Sequence, residues 1–152
     1  MHLYKKRRNE IGTVILIQDY PPRQALTNEF HTAYFTCKLH KLELSECIAD
    51  YEAEEDMQFL LFHVSIINDT LETLTFYSDD FLLSVDKQEG YIQELTTYEN
   101  QFPEIFSIES FKNKTGFFLF MIPIKTKSIC FLHHEYDGEV LVKSYRLRYT
   151  LL

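Results

Sequence analysis

Residues 57–67 read Met-Gln-Phe-Leu-Leu-Phe-His-Val-Ser-Ile-Ile, and the fold class turns on this stretch. Taken with a period of two, Leu60, Phe62, Val64 and Ile66 line one face, while Phe59, Leu61, His63, Ser65 and Ile67 line the other. Both faces are largely apolar, so the segment reads as a central strand covered on each side. Asn68-Asp69-Thr70 follows with turn chemistry, because Asn and Asp tolerate the backbone angles a tight reversal demands.

Upstream, alternation starts at Phe30. Ala33, Phe35, Cys37 and Leu39 share an apolar face, and Thr36, Lys38 and His40 share a wet one. After His40 the phase slips by one, since Leu42 and Leu44 are apolar, which predicts a β-bulge in one long strand. Between Cys47 and Asp56 the carboxylates of Asp50, Glu52, Glu54, Glu55 and Asp56 read as a solvated acidic connection with room for one helical turn. The central glycine of a calcium-binding loop is missing there. Nearer the start, Gly12 to Gln18 reads as a short strand stopped by Tyr20-Pro21-Pro22, because proline lacks the ladder donor.

Downstream, Leu74 and Phe76 mark one strand and Phe81, Leu83 and Val85 the next, with a turn at Lys87 to Gly90 and a return along Tyr91 to Leu95. Thr96 to Lys114 has apolar residues (Phe102, Ile105, Phe106, Ile108, Phe111) without clear periodicity and reads as a long crossover with a short helical turn. Gly116 to Ile122 is another doubly apolar strand. Ser128 to Tyr136 and Glu139 to Leu151 flank Asp137-Gly138, the strongest short hairpin signal in the chain. In the closing strand Tyr145, Leu147, Tyr149 and Leu151 alternate with Arg146, Arg148 and Thr150. About seven or eight antiparallel strands in an all-β, immunoglobulin-like sandwich account for this spacing, with a basic arm over residues 1–10 and one sandwich domain over 11–152.

Composition agrees. The 152 residues include 13 Phe and 10 Tyr, types that suit a half-buried pleated surface. Alanine, the best helix former, occurs at only Ala25, Ala33, Ala49 and Ala53, which argues against a helix bundle. With 15 Lys and Arg against 23 Asp and Glu, the net charge is −8, a poor basis for general nucleic-acid binding. The longest apolar run, Phe117 to Ile124, contains Pro123 and falls far short of the ~20 residues a membrane helix needs. Lys5, Lys6, Arg7 and Arg8 form a basic patch, followed only by Val14 to Ile17 before polar residues return, so no secretory-signal pattern is read. The patch is expected to be a solvated arm, and it offers the one membrane contact the sequence suggests.

No reaction signature emerges. Four glycines (Gly12, Gly90, Gly116, Gly138) supply neither a phosphate loop nor a dinucleotide fingerprint, and there is no nucleophile elbow. Cys37, Cys47 and Cys130 lack metal-type partners at short spacing, and Cys37 is expected to be a buried thiol on an apolar face. His133, His134, Glu135 and Asp137 are the densest donor group and carry the alternative reading, a metal-binding protein or metal-dependent enzyme. Adjacent strand residues point to opposite faces, so regular geometry keeps His133 and His134 apart. His40 and His63 read as surface or half-buried strand residues, and His31 has no evident donor neighbour. Tyr145 and Tyr149 beside Arg146 and Arg148 suggest a stacking platform for single strands, but alternation turns the arginines away from the tyrosines. Asn68-Asp69-Thr70 and Asn113-Lys114-Thr115 match the glycosylation acceptor triplet.

From Met57 to Tyr149 the chain resembles the telokin-like, immunoglobulin-type domains of Gram-positive envelope proteins and lipoproteins. The features are the apolar strand ending in Asn68-Asp69, then Phe81 and Leu83, Gly90-Tyr91, Gly116, Phe120 and Pro123 in a G-x-x-x-F-x-x-P arrangement, and the closing Tyr145-Arg-Leu147-Arg-Tyr149. Where the family often has a Pro-Gly turn ahead of the glycine, Lys112-Asn113-Lys114 stands here. The resemblance implies an extracytoplasmic, surface-anchored module with no established catalytic residues. The absence of a signal pattern keeps a cytoplasmic location as the alternative. The expected function is non-enzymatic binding of a protein partner, without cofactor, through edge strands or the loops at Asp50–Asp56 and Thr96–Lys114. A subunit that pairs with its own copy through an exposed edge is a further expectation.

Overall fold

Met57 to Asn68 forms one unbroken strand in the computed structural model, which describes residues 28–91, 93–96 and 98–151. The strand read at 12–18 and the basic arm at 5–8 lie outside the described residues. In chain order the strands are β1 (Glu29–His31), β2 (Phe35–Ser45), β3 (Cys47–Ile48), β4 (Tyr51–Glu52), β5 (Met57–Asn68) and β6 (Leu74–Tyr77). After them come β7 (Phe81–Val85), β8 (Gln88–Tyr91), β9 (Ile105–Ile108), β10 (Asn113–Pro123), β11 (Ser128–Asp137) and β12 (Val140–Thr150). One sheet has the order β1-β2-β5-β10 and a second the order β12-β11-β7-β8, with two ribbons, β3-β4 and β6-β9, beside them. The fold is an all-β antiparallel sandwich. Eight strands make its two sheets, and the ribbons add four short ones.

β5 lies inside its sheet, as its two-sided pattern requires. Its inner face (Leu60, Phe62, Val64, Ile66) is fully buried against the second sheet, where the Phe62 ring stacks on Phe131 at a centroid distance of 4.1 Å. Its outer Phe59 and Leu61 join Phe117 and Leu119 of β10 under Ile48 and Ala53, so the small β3-β4 ribbon covers the second apolar face. Phe81 and Phe118 (4.8 Å apart) fill the space between sheets, and Phe120 meets Phe131 edge-on at 6.3 Å. The bulge predicted after His40 is present: pairing of β2 with β5 passes from Leu39↔Val64 to Lys41↔His63, leaving His40 as the extra residue.

Four readings are corrected. Phe30 to His40 is not one strand, because the Thr32 hydroxyl accepts the backbone N–H groups of Tyr34 (3.0 Å) and Phe35 (2.9 Å) and reverses the chain between β1 and β2. Cys47 to Asp56 holds a two-stranded ribbon rather than a helical turn. The turn after β7 falls at Asp86 and Lys87, both with positive φ (48° and 73°), the backbone of a tight hairpin, while Gly90 (φ 108°) stands inside β8. In the crossover, Ile105 to Ile108 pairs with β6, burying Phe106 and Ile108 and exposing Ile105 and Ser107. Among the described residues a 3-10 turn lies instead outside the crossover, at Ser78–Asp80 between β6 and β7.

Candidate functional site

Strand directions place four connections at one end of the sandwich. β2 leaves from the β1-β2 turn, β5 arrives there at Asn68, and β10 departs there at Asn113, as their antiparallel registers require. The second sheet is aligned by Phe35 at the start of β2, whose ring lies 5.0 Å from that of His133 late in β11. The rest of β11 and the hairpin to β12 therefore continue toward the same end.

Thirteen large apolar side chains are exposed among the described residues, and seven of them sit on these four connections. Tyr34 is on the β1-β2 turn, Leu71 (83% exposed) on the β5-β6 loop and Phe111 (62%) on the β9-β10 loop. Tyr136, Val140, Leu141 and Val142 project from the β11-β12 hairpin, where a register shift between Glu135 and Tyr136 interrupts the alternation.

The three loops that carry Tyr34, Leu71 and Phe111 are tied together. Asn68, fully buried, donates from Nδ2 to the carbonyls of Glu72 (2.7 Å) and Ile108 (2.9 Å), and its Oδ1 accepts from the N–H (2.8 Å) and hydroxyl (2.7 Å) of Thr70. Every donor and acceptor of that amide is used. Ser110 Oγ donates to Thr70 O at 2.7 Å, the Asn68 N–H to Lys112 O and the Asp69 N–H to Tyr34 O, each at 2.9 Å. The Thr36 hydroxyl donates to Asp69 Oδ2 at 2.7 Å. Phe111 holds φ at 56°, a left-handed conformation uncommon for an aromatic residue, and the loop keeps it there with its ring in water.

The residues singled out by sequence are arranged as follows. His133 and His134 lie on opposite faces of β11. The His133 ring packs among Phe30, Phe35 and Phe81, its Nδ1 is 3.0 Å from Asp80 O, and its pKa is lowered, chiefly by burial. His134 Nδ1 meets Ser144 Oγ at 2.6 Å, and Glu135 Oε1 accepts the Tyr145 hydroxyl at 2.9 Å. The four residues of the alternative reading thus have separate local partners, and among the described residues no group of three His, Cys, Asp or Glu side chains is placed to hold a metal.

His31, read as isolated, has neighbours on both ring nitrogens: Glu29 Oε2 at 2.7 Å from Nε2 and Thr36 Oγ1 at 2.9 Å from Nδ1. His40 meets Ser65, and half-buried His63 meets Glu43 at 3.0 Å, its pKa lowered by burial more than the carboxylate raises it. Cys37, Cys47 and Cys130 form no disulfide, and burial pushes the Cys37 thiol far up, so it stays protonated and inert. Asn68 of the first glycosylation triplet is buried with its amide fully engaged, while Asn113 of the second is exposed. Tyr145 and Tyr149 face inward, and Arg146 and Arg148 face out. Of the loops expected to meet a partner, Thr96–Lys114 contributes Phe111 to the apolar end, whereas Asp50–Asp56 carries the edge of the ribbon that buries Ala53.

Comparison with known proteins reaches the fold. No protein-family model matches the chain, and no curated protein matches it. Among solved structures, the yjhA protein of Bacillus subtilis superposes with a TM-score of 0.61 at 12% identity, covering 78% of this chain and 93% of that one. The "putative lipoprotein (ycdA)" of Bacillus subtilis superposes with a TM-score of 0.60 at 14% identity and 78% coverage, and this chain spans only 38% of its length. A functionally unknown protein of Listeria monocytogenes gives a TM-score of 0.57 at 10% identity, covering 91% of this chain and 85% of that one. The neighbours are β-sandwich proteins of Gram-positive bacteria without an assigned activity.

Proposed function

We propose that the chain is a non-enzymatic binding module of the bacterial cell envelope, of the telokin-like immunoglobulin type, which holds a protein partner at the loop end of its sandwich. One observation carries the reading: seven exposed large apolar side chains lie on four connections at one end of the sandwich, and the three loops that carry Tyr34, Leu71 and Phe111 are tied to one another by hydrogen bonds. Apolar anchors fixed before encounter lose little conformational entropy on binding, which is the economy a recognition surface needs. The strained backbone at Phe111 supports it, since the left-handed turn keeps a large ring in water. The envelope assignment draws support from the "putative lipoprotein (ycdA)" of Bacillus subtilis, which shares the fold.

The test places a photo-crosslinking benzoylphenylalanine at Phe111, at Val140 and, as a control past the opposite end of β10, at exposed Lys125, with the protein expressed in its native host. A discrete protein adduct from the first two positions, absent from the third and abolished by Leu71→Asp, is the expected result. Equal labelling from all three positions, or none from any, removes the proposal.

A further inference from the structure

Arg146 and Arg148, which alternation turns outward from β12, are exposed and line a cleft. On the outer face of the second sheet the registers align Ser84, Cys130 and Arg148 across β7, β11 and β12 in one row, and Leu82, Leu132 and Arg146 in the next. Beyond the first row, Ser128 pairs with Thr150, and Lys127 and Lys87 stand where β11 begins and β7 turns. These rows enclose a cleft of about 550 Å³, within the range of small-molecule sites. Among the described residues its lining includes these four cations and no carboxylate, in a chain whose net charge is −8.

The cations have no ion-pair partner among the described residues. Salt bridges there belong to His31, Lys41 and His63. The carboxylate of Asp86, next to Lys87 in the chain, accepts the N–H groups of Lys127 (3.0 Å) and Ser128 (2.9 Å). Ser84 is buried, yet its hydroxyl donates to no described residue, and the half-buried Thr150 hydroxyl is in the same condition. Leu132, only 1% exposed, supplies an apolar floor between them.

Two arginine forks, two ammonium groups and two hydroxyl donors around one apolar floor match the three terminal oxygens and short carbon skeleton of an organic phosphate. A carboxylate would leave most of those donors unused. We infer that this cleft binds a phosphate ester of a small polyol, free or as the headgroup of an anionic phospholipid, independently of the loop end at the opposite pole of the sheet.

The experiment follows backbone amide shifts during titration with glycerol 3-phosphate and, separately, co-sedimentation with phosphatidylglycerol vesicles against phosphatidylcholine vesicles. Wild-type protein is compared with the Arg146→Gln/Arg148→Gln double variant, whose changes are both solvent-facing and whose fold is checked by its amide spectrum. Shifts confined to Ser84, Cys130, Leu132 and Arg148, weakened about tenfold or more in the variant, establish the free ester. Sedimentation with phosphatidylglycerol alone, lost in the variant, establishes the headgroup. Absence of both, or binding that the double variant retains, overturns the inference.

Discussion

His133 occupies a position on β11 that its neighbours treat as apolar. Its ring lies 6.2 Å from Phe30, 5.0 Å from Phe35 and 5.3 Å from Phe81, and a carbonyl can only accept, so Nδ1–H donates to Asp80 O. That bond suits the neutral ring and the imidazolium alike; burial decides, lowering the pKa below the ordinary 6.5 despite the hydrogen bond to Asp80 O and the pull of Asp80 and Glu135. Above that value neither folded nor unfolded chain carries the proton, and pH has no effect through this group. As pH falls below it, the unfolded chain takes the proton first, so stability declines until the folded pKa is passed. Denaturant midpoints between about pH 7 and pH 5 are expected to fall for the wild type and to fall less for His133→Phe. Part of the acid loss remains in the variant, since the pKa of His63 is lowered too. Identical slopes would show that His133 is hydrated in the fold. The sequence told that His133 and His134 part company, because that follows from the pleat alone. The aromatic surroundings of His133 come from Phe30, Phe35 and Phe81, on three other strands, and no local pattern encodes them.

β10 shows at the scale of an element what one glycine permits. Residues 93–96 and 98–102 flank β10: the Phe117 N–H donates to Asn100 O and the Phe102 N–H to Phe117 O, both at 3.0 Å, while Gln93 Oε1 accepts the Leu119 N–H at 3.3 Å. An edge that would otherwise offer unpaired groups is thereby covered. A Cβ at Gly116 would stand 2.6 Å from Asn100 O and 3.3 Å from the Phe102 ring, and a backbone carbonyl has little room to move aside. Gly116→Ala is therefore expected to cost roughly 1–3 kcal/mol in chemical denaturation and to speed amide exchange at Phe102 and Phe117. Unchanged exchange at those two amides would mean that the segment does not depend on this close approach. The long strands β5, β10, β11 and β12 were legible because alternation and the Asp137-Gly138 turn are local signals. The β1-β2 break was not, since Thr32 reverses the chain with a hydroxyl amid residues that still alternate. β9 was hidden by Phe102 and Phe111, which interrupt the count on either side of a four-residue strand. The loop-end surface was hidden for a related reason: Leu71 and Val140 to Val142 read as apolar, and only the tertiary fold decides that they face water.

Across the molecule, the two sheets share their interior rather than each having its own. Phe131 of the second sheet touches Phe62, Phe118 and Phe120 of the first, at centroid distances of 4.1, 5.6 and 6.3 Å, and Phe81 beside it at 5.7 Å. Neither layer can open without exposing rings of the other, so the sandwich is expected to unfold as one cooperative unit. Phe131→Ala makes the argument measurable. Removing a fully buried ring at the centre of the stack costs about 3–5 kcal/mol by lost transfer and the cavity left behind. If the core is common property, slow amide exchange in β5 and in β11 speeds up by the same factor, although only β11 carries the change. Acceleration confined to β11, β7 and β12 would show two separately stable layers. The same rigidity bears on function. A sandwich locked through one aromatic stack transmits no large motion between its ends, so the loop end and the cationic cleft should act as independent sites, each unaffected when the other is substituted.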